Sequence, residues 1–184
     1  MPTTPPQEPD TIEIVFAAEA IAERIGTVAQ RIAGARLERL LVVAILKGSF
    51  VFAADLLRAM HRAGLSPEVD FLTLASYREA TRSAGTVDIV RDIETDVDGR
   101  DVLIVDDILE SGRTLAFARD LILARGARRV LTCVLLDKPV ERAVPISADF
   151  TAFECPNEFV VGYGMDLAHR FRELPFVGRV VRAP

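Results

Sequence analysis

The sequence predicts an α/β domain: a mainly parallel central sheet flanked by helices. Three observations carry that expectation. Residues 40–46, 102–105 and 130–136 are apolar runs too short for typical helices, the pattern of strands buried on both faces of a parallel sheet. The stretches between them show helical periodicity. The chain has 184 residues, 50% hydrophobic and 27% charged, which suits one compact domain with a real core and excludes a disordered protein.

Taken in order, residues 1–10 hold four prolines and no basic residue, so they read as a flexible N-terminal tail rather than a signal peptide. Residues 11–184 then form a single domain. Ile21, Ile25, Val28 and Ile32 mark one face of a first helix. The run 40–46 is a strand. Ala53, Leu56, Leu57 and Met60 lie on one face of a second helix, which Gly64-Leu-Ser-Pro67 breaks. Residues 69–76 read as strand. Residues 77–100 are polar, with strand pattern only at 86–90, and read as a lid or hairpin mounted on the core. After the Asp98-Gly99 turn come a strand at 102–105, a helix over about 112–125 and a strand at 130–136. Residues 150–153 and 159–161 are further short strands.

Composition excludes several functions. Asp plus Glu outnumber Lys plus Arg by 27 to 22, a net charge of −5. That charge supplies no cationic footprint for nucleic acid or anionic membrane. The longest apolar run, 40–46, falls far short of the roughly 20 residues that span a bilayer. Cys133 and Cys155 show no metal or redox spacing, and Cys133 reads as plain core. A reducing cytoplasm is the expected compartment. His61 falls on the polar side of its helix, and His169 has no required role. Walker A, dinucleotide, zinc-protease and nucleophile-elbow patterns do not occur.

The chemistry concentrates where the 102–105 strand runs into Asp106-Asp-Ile-Leu-Glu-Ser-Gly-Arg-Thr114. In open α/β sheets, ligands sit at the carboxyl ends of strands. Small residues at a strand-to-helix turn let backbone N–H groups converge on an anion, and the helix N-terminus favours negative charge. Ser111 and Thr114 add hydroxyls. Three carboxylates beside a phosphate cradle would repel that phosphate unless sugar hydroxyls or a hard cation such as Mg²⁺ lay between. A phosphorylated ribose with a metal meets both needs. A helix cap with an acidic first turn explains Ser111 or Asp107 alone, but not Asp106, Asp107 and Glu110 together.

This turn resembles the phosphoribosyl-pyrophosphate (PRPP) motif of type I phosphoribosyltransferases. Four further segments narrow the resemblance to hypoxanthine-guanine phosphoribosyltransferases: Leu46-Lys-Gly-Ser49, Ser76-Tyr77, Leu136-Asp-Lys-Pro139, and Phe159-Val-Val-Gly-Tyr-Gly-Met-Asp166 with Arg170-Phe-Arg172. They occur in family order from about residue 40 to the C-terminus.

The resemblance implies the type I phosphoribosyltransferase fold, with a small hood built from N- and C-terminal segments and a flexible lid at about 77–100. It implies purine salvage: Mg²⁺-dependent transfer of the phosphoribosyl group to N9 of hypoxanthine or guanine. Asp106 and Asp107 would hold the ribose hydroxyls and metal, and Glu110, Ser111, Gly112, Arg113 and Thr114 would wrap the 5′-phosphate. Glu110 would be the catalytic base, where the family usually has aspartate. Lys47, Gly48, Ser76, Tyr77 and Arg172 would bind pyrophosphate, with a cis peptide before Lys47. Lys138 would donate to the 6-oxo group, Phe159 would stack on the purine, and the Val160 backbone would read its edge. Asp166 would carry a second Mg²⁺ near the purine. A homo-oligomer is implied. The alternative from another class is a PRPP-sensing regulator that binds nucleic acid; the net charge and the purine-recognition set weigh against it.

Overall fold

A computed structural model describes residues 11–76 and 87–181. The N-terminal tail and Tyr77 lie outside the described residues. The elements in order are β1 (Thr11–Phe16), α1 (Ala18–Gly34), β2 (Leu41–Leu46), α2 (Phe50–Arg62), β3 (Glu68–Ser76), β4 (Val87–Arg91), β5 (Asp101–Leu109), α3 (Arg113–Ala124), β6 (Arg129–Asp137), β7 (Phe150–Glu154), β8 (Val160–Val161) and β9 (Val177–Val181).

The main sheet has the order β4-β3-β2-β5-β6-β7. Its neighbours pair in parallel except β4, which runs antiparallel to β3. Alternation within the strands divides the core in two. Val42, Ala44, Leu103 and Val105 pack with α1 and α2 residues such as Ile25, Phe52 and Leu56. Leu41, Val43, Val102 and Ile104 pack with Leu115, Ala118 and Ile122 of α3. Both faces of the central strands are therefore covered, which explains why β2 reads as a continuous apolar run.

A second, three-stranded antiparallel sheet, β1-β9-β8, joins the two ends of the described chain into a hood. Phe16 at the end of β1 stacks on Phe153 of β7, ring centroids 4.3 Å apart, and so seats the hood on the main sheet. The sequence pattern singled out neither β1 nor β9. Both are short, β1 buries none of its residues, and their pairing spans the described chain.

Two expectations are corrected. The strand read at 102–105 extends to Leu109, because Asp106, Ile108 and Leu109 continue the parallel register with Val134, Leu136 and Asp137. The adjacent carboxylates Asp106 and Asp107 thus stand on a strand rather than in a turn. Residues 92–100, read as part of the lid, are pinned to the body. Asp92 takes a bidentate pair from Arg125, at 2.8 and 2.6 Å, and Asp70 accepts from the N–H groups of Glu94 and Thr95. Val97 is buried. Among the described residues no helix is long and apolar enough to cross a membrane. Cys133 and Cys155 are both free and buried, and burial pushes both thiols up.

Candidate active site

Two adjoining cavities, of about 900 and 710 Å³, open at the carboxyl ends of β2 and β5 and share Lys47, Gly48, Asp107 and Glu110. Together they form one cleft with two ends.

The first end is built by the β5–α3 connection. Asp106, Asp107, Glu110, Ser111, Gly112, Arg113 and Thr114 all line it. Gly112 caps α3 with φ +79°, in the left-handed region that favours glycine. A Cβ there would come within 2.4 Å of the Val144 carbonyl oxygen, so the loop after β6 backs the turn closely. The Val144 N–H also donates to the Ser111 carbonyl at 3.1 Å. Ser111 Oγ accepts from the Arg113 N–H at 3.4 Å. The positive end of the α3 dipole therefore meets the cavity at a tightly backed turn, a site suited to a phosphate.

Asp106 and Asp107 sit beside this turn. Asp106 is 6% exposed and accepts the Asp107 N–H at 2.9 Å; Asp107 accepts the Ile108 N–H at 2.9 Å. Burial pushes both carboxyls above the ordinary value, the neighbouring Asp107 charge pushing Asp106 further, while Arg172 draws Asp107 back down. Gly48 is packed onto this pair: a Cβ on it would stand 1.7 Å from Asp107 Oδ2. The peptide between Leu46 and Lys47 is cis, as the resemblance implies. Lys47 itself is exposed in the cleft.

The second end gathers residues from distant segments. Lys138, Phe159, Val160, Asp166 and Arg172 line it together with Glu110. Lys138 is 6% exposed and held at the end of β6, where its N–H donates to the Leu109 carbonyl at 3.0 Å. Phe159 is 54% exposed, so it is a cleft residue and not core. Arg172 Nη2 pairs with Asp166 Oδ1 at 2.6 Å, and Asp166 Oδ2 accepts the His169 N–H at 2.8 Å. His169 is exposed, and His61 is exposed on α2.

Of the pyrophosphate set, Ser76 ends β3 and Tyr77 lies outside the described residues. Asp166 stands with Arg172 rather than with Asp106 and Asp107, and among the described residues no three His, Cys, Asp or Glu side chains converge on a metal-sized site. The adjacent aspartates are hard oxygen donors in a buried position, which fits Mg²⁺ if substrate oxygens or water complete its shell. Asn157 lines both cavities and was missed in the sequence, although it stands two residues before Phe159.

The comparisons agree with this geometry. A model of the phosphoribosyl transferase domain matches residues 11–167. Hypoxanthine phosphoribosyltransferase of Escherichia coli K12 is 39% identical over 174 residues, covering 93% of this chain and 96% of that protein. The crystal structure of a hypoxanthine-guanine phosphoribosyltransferase from Bacillus anthracis superposes with a TM-score of 0.85 at 38% identity, covering 92% of this chain and 98% of that one. The bifunctional protein TilS/HprT of Listeria monocytogenes is 49% identical over 138 residues, 75% of this chain; the match spans only 21% of that relative's length. The chain belongs to the phosphoribosyltransferase family, among the hypoxanthine-guanine phosphoribosyltransferases.

Proposed function

We propose that the protein transfers the 5-phosphoribosyl group of PRPP to N9 of hypoxanthine or guanine, forming IMP or GMP and releasing pyrophosphate. One observation carries the reading: an anion cradle with paired carboxylates and a lysine–aromatic pocket are two ends of one cleft, meeting at Asp107 and Glu110.

In this reading the turn 110–114 holds the 5′-phosphate at the N-terminus of α3. Asp106 and Asp107 accept hydrogen bonds from the ribose hydroxyls. Lys47, Gly48, Ser76, Tyr77 and Arg172 receive the pyrophosphate; arginine's fork suits such an anion. Lys138 donates to the 6-oxo group, and Phe159 covers the ring. The bond from C1′ to the pyrophosphate oxygen breaks as the bond to N9 forms, and Glu110 takes the proton that the purine loses. Asp106 and Asp107 would hold one Mg²⁺ and Asp166 a second, supplying positive charge to stabilise the departing pyrophosphate. The rest of the catalysis is positional and electrostatic. The same resemblance supports a homo-oligomer, dimer or tetramer, acting in the cytoplasm.

The test is to incubate the protein with PRPP, Mg²⁺ and hypoxanthine, then separate products by chromatography. IMP and pyrophosphate in equal amounts support transfer. Ribose 5-phosphate and pyrophosphate without nucleotide would replace transfer with hydrolysis.

A further inference from the structure

Besides the Phe16–Phe153 stack, the hood side meets the body at Tyr163, a side chain that the reaction chemistry does not use. Tyr163 is 6% exposed, and its hydroxyl donates to Asp55 Oδ2 at 2.5 Å although 108 residues separate them in sequence. Asp55 belongs to α2, and its other oxygen pairs with the exposed Arg58 at 3.2 Å. Burial and the Asp55 carboxylate push the phenol up, so it remains a proton donor. Tyr163 also has φ +51°, between Gly162 at +91° and Gly164 at +100°. An aromatic residue stays in the left-handed region only where its surroundings hold it there.

The elements joined by this contact each carry one half of an anion site. On the hood side, Gly164 is gripped by Arg172: its carbonyl accepts from Arg172 Nη1 at 2.5 Å, and its N–H donates to the Arg172 carbonyl at 3.0 Å. On the body side, α2 continues directly from Lys47 and Gly48, and Ser49 at its N-cap is buried and bonded through Oγ to the Ile45 carbonyl. The two halves touch, since a Cβ on Gly164 would lie 2.2 Å from the Gly48 carbonyl oxygen.

We propose that Tyr163, acting through Asp55, is a positioning residue that latches the hood to α2 and sets the gap between Arg172 and the Lys47–Gly48 loop, and hence the affinity for pyrophosphate. The inference rests on the assignment of those groups to pyrophosphate in the proposed function. The donor Lys138 and the base Glu110 directly follow β6 and β5 on the body, outside the latch, so it acts on the pyrophosphate end more than on these two purine-end groups.

The test compares Tyr163→Phe, Asp55→Ala, the double variant and Arg58→Ala with the unaltered protein. Magnesium pyrophosphate binding is read by calorimetry, KM for PRPP and for hypoxanthine by initial rates, and folding by thermal melts. Loss of one hydrogen bond to a charged group corresponds to a weakening of about tenfold. Tyr163→Phe and Asp55→Ala are each expected to weaken pyrophosphate binding and raise KM for PRPP about five- to tenfold. KM for hypoxanthine should stay within about twofold, and the double variant should be no worse than either single one. Arg58→Ala, which removes only an exposed pair, should leave all three constants within about twofold. Equal losses at both substrates, additive losses in the double variant, or unchanged pyrophosphate binding would overturn the latch. Unaltered protein that binds pyrophosphate but turns over no purine would instead contradict the functional reading, while the calorimetric comparison still decides the latch.

Discussion

Lys138 Nζ stands 3.5 Å from Glu110 Oε1, so the lysine proposed to read the purine and the carboxylate proposed to deprotonate it face each other across one wall of the cleft. The lysine is nearly buried and the glutamate more open, with side-chain exposures of 7% and 38%. The family usually carries aspartate at this position, and the additional methylene of glutamate extends the carboxylate's reach. The cleft wall therefore presents a buried cation and a more open carboxylate side by side.

Glu110→Gln keeps the shape and removes the base. General-base catalysis contributes about 10²–10⁴-fold, so kcat should fall by that order while KM for PRPP moves less than about threefold. Steady-state kinetics with hypoxanthine read this directly. An unchanged kcat would assign the proton to water or another group.

Lys138→Met keeps much of the apolar stem and removes the donor. Discrimination for a 6-oxopurine over adenine should shrink, by about 1–3 kcal/mol of lost recognition, with PRPP binding nearly intact. The ratio of kcat/KM for hypoxanthine and adenine measures it. Equal loss of PRPP and purine binding would remove Lys138 from base recognition.

The paired aspartates make stability depend on pH. Burial raises the Asp106 carboxyl above its ordinary 3.8 in the folded protein. The native state therefore binds this proton more tightly than the unfolded chain does. Its contribution is full below the unfolded value and is lost as pH rises through the native one. Above the unfolded value, and so near neutral pH, the ligand-free protein holds this buried carboxyl at a disadvantage in either protonation state. Asp106→Asn should accordingly raise the melting temperature at pH 7.5, by about 2–4 °C for each 1 kcal/mol recovered, and the gain should vanish on acidification. The same variant should lose PRPP binding. A lower melting temperature at pH 7.5 would show that the carboxylate is already compensated.

Gly48→Ala tests the packing of the pyrophosphate loop on Asp107. The new Cβ would stand 1.7 Å from Asp107 Oδ2, so the carboxylate must leave its place. KM for PRPP should rise at least about tenfold. An unchanged KM would mean that the loop yields at no cost to binding.

The main sheet was legible because its central strands are buried on both faces, so residues such as Val42 and Ile104 announce themselves as apolar runs. The helices carrying Ile21–Ile32 and Ala53–Met60 were legible from periodicity, as buried faces of α1 and α2. Asp106 through Leu109 was misread as a turn because pairing with β6 overrides the local preference of two aspartates. Of the hood strands, β1 and β9 escaped because the Thr11–Val181 pairing joins opposite ends of the described chain. Most cleft residues were found through motifs. Asn157 was not, nor was Asp55 beside Tyr163, since their neighbours come from elsewhere in the fold; the glycines flanking Tyr163 were the one local sign of a special turn.

The most direct measurement is the initial rate with PRPP and Mg²⁺ when hypoxanthine, guanine, xanthine, adenine and uracil are offered separately, with and without EDTA. The expected result is turnover of hypoxanthine or guanine, little of adenine or uracil, and loss of activity with EDTA. Saturable PRPP binding without turnover of any base would contradict the transferase reading and point to a PRPP-sensing protein.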